Sequence, residues 1–163
     1  MSYIMDLRKK IGHQVIICPA SSVIIIDKNG RFLLEHRKDD NMYSNIGGSM
    51  EIDESVEETA AREMEEETGL KPLHLEFFKV YSGKAFHHYY PNGDEVCYVD
   101  TVFICTEYEG ELKPEEDEIL GLGFYKPEEF PPTLLLTSKM IYSDYLKSKG
   151  LKVPEVLKYK GDN

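Results

Sequence analysis

The densest chemistry in the chain is a run of carboxylates, Glu63, Glu65, Glu66 and Glu67, within the segment GGSMEIDESVEETAAREMEEETGL that extends from Gly47 to Leu70. Ser55, with Glu58 three residues on, forms a capping box for a helix start. Gly69 suits the left-handed residue that ends a helix, and Leu70 can pack back onto the last turn. Between these ends the charges run against local preference. The C-terminal end of a helix dipole favours cations, yet four glutamates crowd it. Glu63 meets the like charge of Glu67 across one turn, and Glu66 lies three residues from Glu63. Each such effect costs about a few tenths of a kcal/mol, which in sum makes this a poor place for four carboxylates without a purpose.

A helical wheel separates the glutamates. At about 100° per residue, Glu66, Glu67, Val56, Ala60 and Thr59 all fall within about 60° of Glu63. Three glutamates therefore share the face of Val56 and Ala60 that packs inward, whereas Glu54, Glu57, Glu58 and Glu65 read as an ordinary solvated face. Carboxylates converging at the edge of a core repel one another and resist desolvation unless a cation sits among them. All-oxygen ligation suits Mg²⁺ or Mn²⁺ and not zinc. The residues by themselves leave two readings open, a divalent-metal site and an unusual acidic surface helix.

The elements that must position this helix follow from pattern. Residues 14–27 are β-branched and apolar, interrupted by Pro19 and Ser21-Ser22, and read as one irregular strand or two short ones. Asn29-Gly30 then marks a tight hairpin into residues 31–37. After a polar loop and the helix over 54–68 come two strand-like runs, Leu75–Tyr90 and Val96–Tyr108, joined by the turn Pro91-Asn92-Gly93-Asp94. A short strand near Leu122–Tyr125 and a helix from Ser138 to Ser148 follow, with Gly150 as its stop. The last dozen residues read as a loosely packed tail. The pattern is a mixed α+β single domain over 1–163, with a core over about 14–150.

Composition bounds the partners. The 163 residues suit one domain. A net charge of −11 argues against a nucleic-acid backbone as the main partner, because such proteins carry a basic surface. An acidic chain can still handle phosphate if a metal supplies the positive charge. Cys18, Cys97 and Cys105 lack metal or redox spacing and read as buried reduced thiols of a cytoplasmic protein. Neither a signal peptide nor a transmembrane run is expected, and so no membrane partner.

The helix and its flanks closely resemble the signature of the Nudix hydrolase family. That signature is a glycine, five residues, a glutamate, seven residues, then Arg-Glu-apolar-x-Glu-Glu-x-Gly-apolar. Gly48, Glu54, Arg62, Glu63, Met64, Glu66, Glu67, Gly69 and Leu70 fill it over 23 residues. Arg37 at the end of the second strand, Tyr43 before the double glycine and two strands after the box extend the likeness over roughly residues 14–130. Departures are Ile46 where a proline often stands, Tyr43 for a frequent tryptophan and Asp53 for a frequent glycine.

The resemblance implies the Nudix fold, a mixed β-sheet sandwiched between helices (α/β/α). It also implies Mg²⁺-dependent, or Mn²⁺-dependent, hydrolysis of a nucleoside diphosphate linked to a further group X. Glu63, Glu66 and Glu67 match the metal-binding glutamates, with the carbonyls of Gly47 or Gly48 as further ligands. Arg62 holds one of the glutamates by a charge-assisted bond, Glu54 supports, and Glu66 serves as base in some members. A later acid often acts as base or ligand too. Glu118 is the choice here, with Glu115, Glu116 and Asp117 as competitors. Arg31, Arg37, Lys38 and Lys84 are candidates for an extra phosphate contact, each weighed against an ordinary surface charge.

Subfamily markers do not fix the substrate. Ala85 stands where a proline marks ADP-ribose enzymes, Phe86, His87 and His88 stand where a tyrosine marks dinucleoside polyphosphate enzymes, and the coenzyme A signature is missing. Tyr81, Phe86, Tyr89 and Tyr90 are candidates to stack a base, or core residues of a strand, and His87-His88 are candidates to touch phosphate or metal, weighed against a solvated pair at a strand end. A nucleotide-binding regulator without turnover and a diphosphate isomerase with a catalytic cysteine are the competing readings. A homodimer is among the arrangements that the family shows.

Overall fold

The structure is a computed structural model that describes residues 3–115 and 117–160; Glu116, one of the loop acids named above, lies outside the described residues. The chain begins with α1 (Tyr3–Ile11), then β1 (Ile16–Ile25), β2 (Phe32–Arg37), β3 (Tyr43–Ser44) and β4 (Ile46–Ser49). The acidic helix α2 (Val56–Thr68) follows. Next come β5 (Leu70–Tyr81), β6 (His87–Tyr89), β7 (Glu95–Gly110), β8 (Ile119–Tyr125) and α3 (Leu136–Ser148).

Two sheets form. One has the order β4-β1-β7-β5 with β6 also on β7, and the other has the order β3-β2-β8. β1 runs parallel to β7 from Ile16↔Val96 to Ile25↔Cys105, while the remaining pairs are antiparallel. β1 can be central because both of its faces are apolar. Val23 and Ile25 join Ala60 and Met64 of α2, together with Leu33, Phe103 and Cys105. Ile24 packs on the other side with Leu34, Val102 and Ile104 against Ile141, Tyr142 and Leu146 of α3. A mixed sheet and a smaller antiparallel one between α2 and α3 make the expected sandwich.

The sequence pattern errs where tertiary pairing overrides a local signal. Asn29-Gly30 does reverse the chain: Gly30 has φ 72° and donates to the Asp27 carbonyl at 2.9 Å. Yet only Ile26 and Phe32 bridge across it. Both strands are apolar on two faces, and each is buried more fully in the middle of its own sheet than as half a hairpin. The run 75–90 is broken by a 3₁₀ turn at Lys84–Phe86 after Gly83, whose φ of 92° ends the extended backbone. The N-terminal segment forms α1, whose Ile4, Leu7 and Ile11 cover Ile16, Cys18 and Val96. Cys97 is half-buried and not buried as expected, and all three cysteines are free.

The expected loose tail is also corrected. Leu157, in a one-turn helix at Glu155–Leu157, is 0 % exposed and sits in the α3 core with Val153 and Val156 beside it. Three short apolar side chains spread over five residues and broken by Pro154 leave little periodic pattern to mark the anchor. Leu157→Ala should cost about 2–5 kcal/mol, as for other buried leucines that leave a cavity. Chemical denaturation measures it, and a loss under about 1 kcal/mol would mean that the tail is not anchored.

Candidate active site

The capping box places α2. Ser55 Oγ accepts from Glu58 N at 3.2 Å, Glu58 accepts from Ser55 N at 2.8 Å, and Gly69 ends the helix at φ 73°. Asp53, just before it, has φ 67°. That left-handed backbone is why glycine is frequent there, and aspartate is among the few other residues that tolerate it.

Arg62 is the hub of the helix's outer edge. Its Nε donates to Glu54 Oε1 at 2.6 Å, Nη1 to Glu63 Oε1 at 2.6 Å and to Glu66 Oε2 at 3.0 Å, and Nη2 to the Ser49 carbonyl at 3.0 Å. Glu54 also accepts from Thr59 Oγ1 and Glu51 N. Glu54 is thus no solvated charge, contrary to the wheel. The Arg62 hydrogen bond holds its pKa down to about 2. Nε and Nη2 reach Glu54 and the Ser49 carbonyl outside the helix, so α2 is fastened to β4 and its following loop.

The other two acids face inward. Glu67 is 8 % exposed, and its Oε2 accepts from Gly47 N at 3.0 Å. Burial, then the charges of Glu35 and Glu63, push its pKa well up. Burial likewise raises Glu63, with Glu66 and Glu118 adding to the effect against Arg62. Glu66 differs from the wheel's expectation, because its side chain is 55 % exposed at the rim. The double glycine has two separate causes. A Cβ on Gly47 would come within 2.5 Å of Ser22 on β1, and one on Gly48 would come within 2.5 Å of the Glu63 carboxyl. Ile46, in place of the frequent proline, is simply buried with Met64.

Glu35 on β2 escaped sequence reading. It is 2 % exposed, accepts from Ser44 Oγ at 2.6 Å and has Arg37 Nη1 at 3.8 Å. Burial pushes its pKa to about 7. The signal was a glutamate in the otherwise apolar run Phe32–Leu34, where charge at a central strand position requires a partner. Arg37 is itself claimed by Asp39, Asp40 and Glu35.

These residues line one cleft of about 1050 Å³. Glu35, Glu63, Glu66, Glu67, Gly47, Gly48, Arg62 and Glu118 all border it, as do Glu115, Asp117, Arg37 and Lys38. Arg31 is held elsewhere by Asp27, over the Phe124 ring, and Lys84 is not among the lining residues. None of the cysteines lines the cleft. The far wall carries Phe86, His87, His88, Tyr90, Tyr98 and Asp100. Tyr81 is core, bonded to Asp144, and Tyr89 faces solvent. His87 is no solvated residue: its Nε2 lies 2.6 Å from Glu95, with its ring stacked on Tyr89. Asp100, raised by burial to about 6, accepts from Ser22 Oγ at 2.8 Å.

Several carboxylates with raised pKa values at one wall make a donor set for a hard dication. Among the described residues no three acidic, histidine or cysteine side chains are drawn together into a cage. Arg62 supplies the positive charge between Glu63 and Glu66 in that geometry. The residue types, with Glu67 buried and Glu63 half-buried, fit such an ion, which would compete with Arg62 for the Glu63 and Glu66 oxygens.

Comparison with known proteins agrees with this layout. A family model described as NUDIX domain matches residues 17–145. The chain is 33 % identical over 155 residues to an ADP-ribose pyrophosphatase of Methanocaldococcus jannaschii, covering 89 % of this chain and 82 % of that protein. It is 29 % identical over 123 residues to the NAD-capped RNA hydrolase NudC of Mannheimia succiniciproducens, covering 70 % of this chain but only 41 % of that relative's length. Its fold is that of a MutT NUDIX hydrolase from Burkholderia pseudomallei, at a TM-score of 0.67 and 22 % identity over 78 % of this chain and 97 % of the other.

Glu35 gives the site a pH signature. Its folded pKa of about 7 lies above the ordinary 4.5, so between those values the folded chain keeps a proton that the unfolded chain has released. Stability therefore falls as pH rises through that window. With metal chelated, Glu35→Gln should raise Tm by about 2–4 °C at about pH 8 and by nothing at about pH 4. Thermal melts at the two pH values check this, and an equal effect at both would mean that the burial of the charge is not its cause.

Proposed function

The chain belongs to the NUDIX family, and on that premise we propose that it is a divalent-metal-dependent pyrophosphohydrolase. In this reading it cleaves the diphosphate linkage of a small nucleotide carrying a further group X. The observation that carries it is the placing of the buried Glu67 and the half-buried Glu63 against the Gly47-Gly48 strand, at the edge of a cleft large enough for a nucleotide.

Glu63, Glu66 and Glu67 would hold Mg²⁺ or Mn²⁺, with the Gly47 or Gly48 carbonyl as a further ligand. The bound cation would neutralise phosphate oxygens and acidify the attacking water. The chain's own residues do the rest. Gly47 N–H fixes one Glu67 oxygen, which leaves the other directed by the strand. Arg62 is a positioning residue that sets the spacing of Glu63 and Glu66. Glu66 and Glu118 are the carboxylates of the cleft assigned to accept the proton of water, with the exposed Glu115 and Asp117 beside them. Arg37 and Lys38 line the same cleft and would meet the outer phosphate.

ADP-ribose is the substrate to test first, because a relative covered over most of its length carries that name, although Ala85 departs from the marker proline. RNA is a weaker candidate: the NudC relative is more than twice as long as the match, and the net charge of −11 supplies no basic surface for a nucleic-acid body. An isomerase would need a cysteine at the cleft. The same reading places the enzyme in the cytoplasm, where three free cysteines stay reduced. Among the described residues no helix is long and apolar enough to cross a membrane.

The test is turnover of ADP-ribose, nucleoside triphosphates, sugar nucleotides and dinucleotides, with Mg²⁺ and with chelator. Chelator should abolish activity, and Glu66→Gln or Glu118→Gln should lower kcat by about 10²-fold or more, whichever supplies the base. Chelator-insensitive turnover would refute the mechanism, and binding without turnover across the panel would make the protein a nucleotide sensor.

A further inference from the structure

Asp100 lies outside the metal-facing wall and has no part in the reaction as described, yet it is built into the cleft. It is 9 % exposed, and Ser22 Oγ donates to its Oδ2 at 2.8 Å. Its Oδ1 is buried and receives no hydrogen bond from any described residue. A buried carboxylate oxygen without a donor is costly and rare in a folded protein. Ser49, Ala20 and Asp100 are in register across β4, β1 and β7. Asp100 therefore lies two strand spacings, about 10 Å, from the strand that carries the double glycine. That is the reach of a sugar or nucleoside attached to a diphosphate. Phe86, Tyr90 and Tyr98 line the cleft beside it, the two tyrosine hydroxyls sharing a hydrogen bond at 2.6 Å.

We propose that Asp100, held by Ser22, is a specificity-determining acceptor for a neutral hydrogen-bond donor on the organic part of the substrate, a hydroxyl or an amino group. The inference rests on the diphosphate reading of the neighbouring carboxylates. Ser22 spends its proton on Oδ2, so the pair offers only lone pairs to the cleft. Such a surface accepts O–H and N–H and repels a further phosphate. The aromatic side chains next to it supply a flat apolar wall for the ring that bears the donor. One ligand chemistry has two sources, the nucleoside or the group X, and the arms of the experiment separate them.

The experiment is calorimetric binding of ADP-ribose, ATP and inorganic pyrophosphate to wild type and Asp100→Asn, with Ca²⁺ in place of Mg²⁺ to suppress turnover. Pyrophosphate carries no organic donor, so its Kd should stay within about twofold, while the Kd for ADP-ribose weakens about tenfold or more. An equal loss for ATP assigns the seat to the nucleoside, and an unchanged ATP affinity assigns it to the ribose of X. Circular dichroism checks folding, and Asp100→Ser provides the same contrast if the asparagine variant does not fold. Unchanged ADP-ribose affinity, an equal loss for pyrophosphate, or no ADP-ribose binding by wild type overturns the proposal. A wild type that binds ADP-ribose without hydrolysing any diphosphate refutes the hydrolase reading instead, and the affinity ratios still decide the role of Asp100.

Discussion

The Arg62 guanidinium is the constraint on which the rest of the site depends. One planar fork meets Glu54, Glu63, Glu66 and the Ser49 carbonyl. An arginine supplies several fixed donors and stays charged in any surroundings, which a lysine at that position would not match. Through these contacts the acidic helix, its entry loop and the glycine strand become one rigid unit. Glu67 can then be buried and Glu63 half-buried at a sheet edge where free carboxylates would swing into water.

Burial and charge are opposed across this wall. Glu35, Glu63 and Glu67 are all pushed toward the protonated form by desolvation, and the charges of Glu35 and Glu63 add to the rise of Glu67. The fold tolerates this because their surroundings satisfy particular oxygens: Ser44 for Glu35, Gly47 N–H for Glu67, Arg62 for Glu63. What remains is strong acceptor capacity directed into a cleft, in a protein of net charge −11. In the proposed function, cations together with Arg37 and Lys38 would carry phosphate binding by such a chain, while Phe86, Tyr98 and Asp100 line the part of the cleft proposed to seat the organic part of a ligand.

Much of the helix was legible because its signals are local. The Ser55–Glu58 box, the Gly69 stop and the misplacement of four glutamates are properties of consecutive residues. The inward turn of Glu63 and Glu67 follows from helical period alone. Glu66 sits further out than that period suggests, because α2 meets the sheet along the Ala60–Met64–Glu67 edge and leaves the neighbouring edge at the rim. Glu54 was misread for a related reason: its partner Arg62 is eight residues away, and only the bend of the entry loop brings the two together.

The sequence by itself determined the spacing of Glu63, Glu66 and Glu67, the two glycines that let the chain pass close, and the apolar strands of the core. Each of these is encoded within a few residues, where propensity, period and steric demand act without help from distant segments. Only the tertiary structure decided that β1 and β2 part into two sheets, that Leu157 is an anchor, and that Glu35 and Asp100 come to border the cleft. Those outcomes depend on which strands lie side by side. Residues 35 and 67, or 22 and 100, become neighbours only when long-range pairing has closed the loops between them, and no local pattern carries that information.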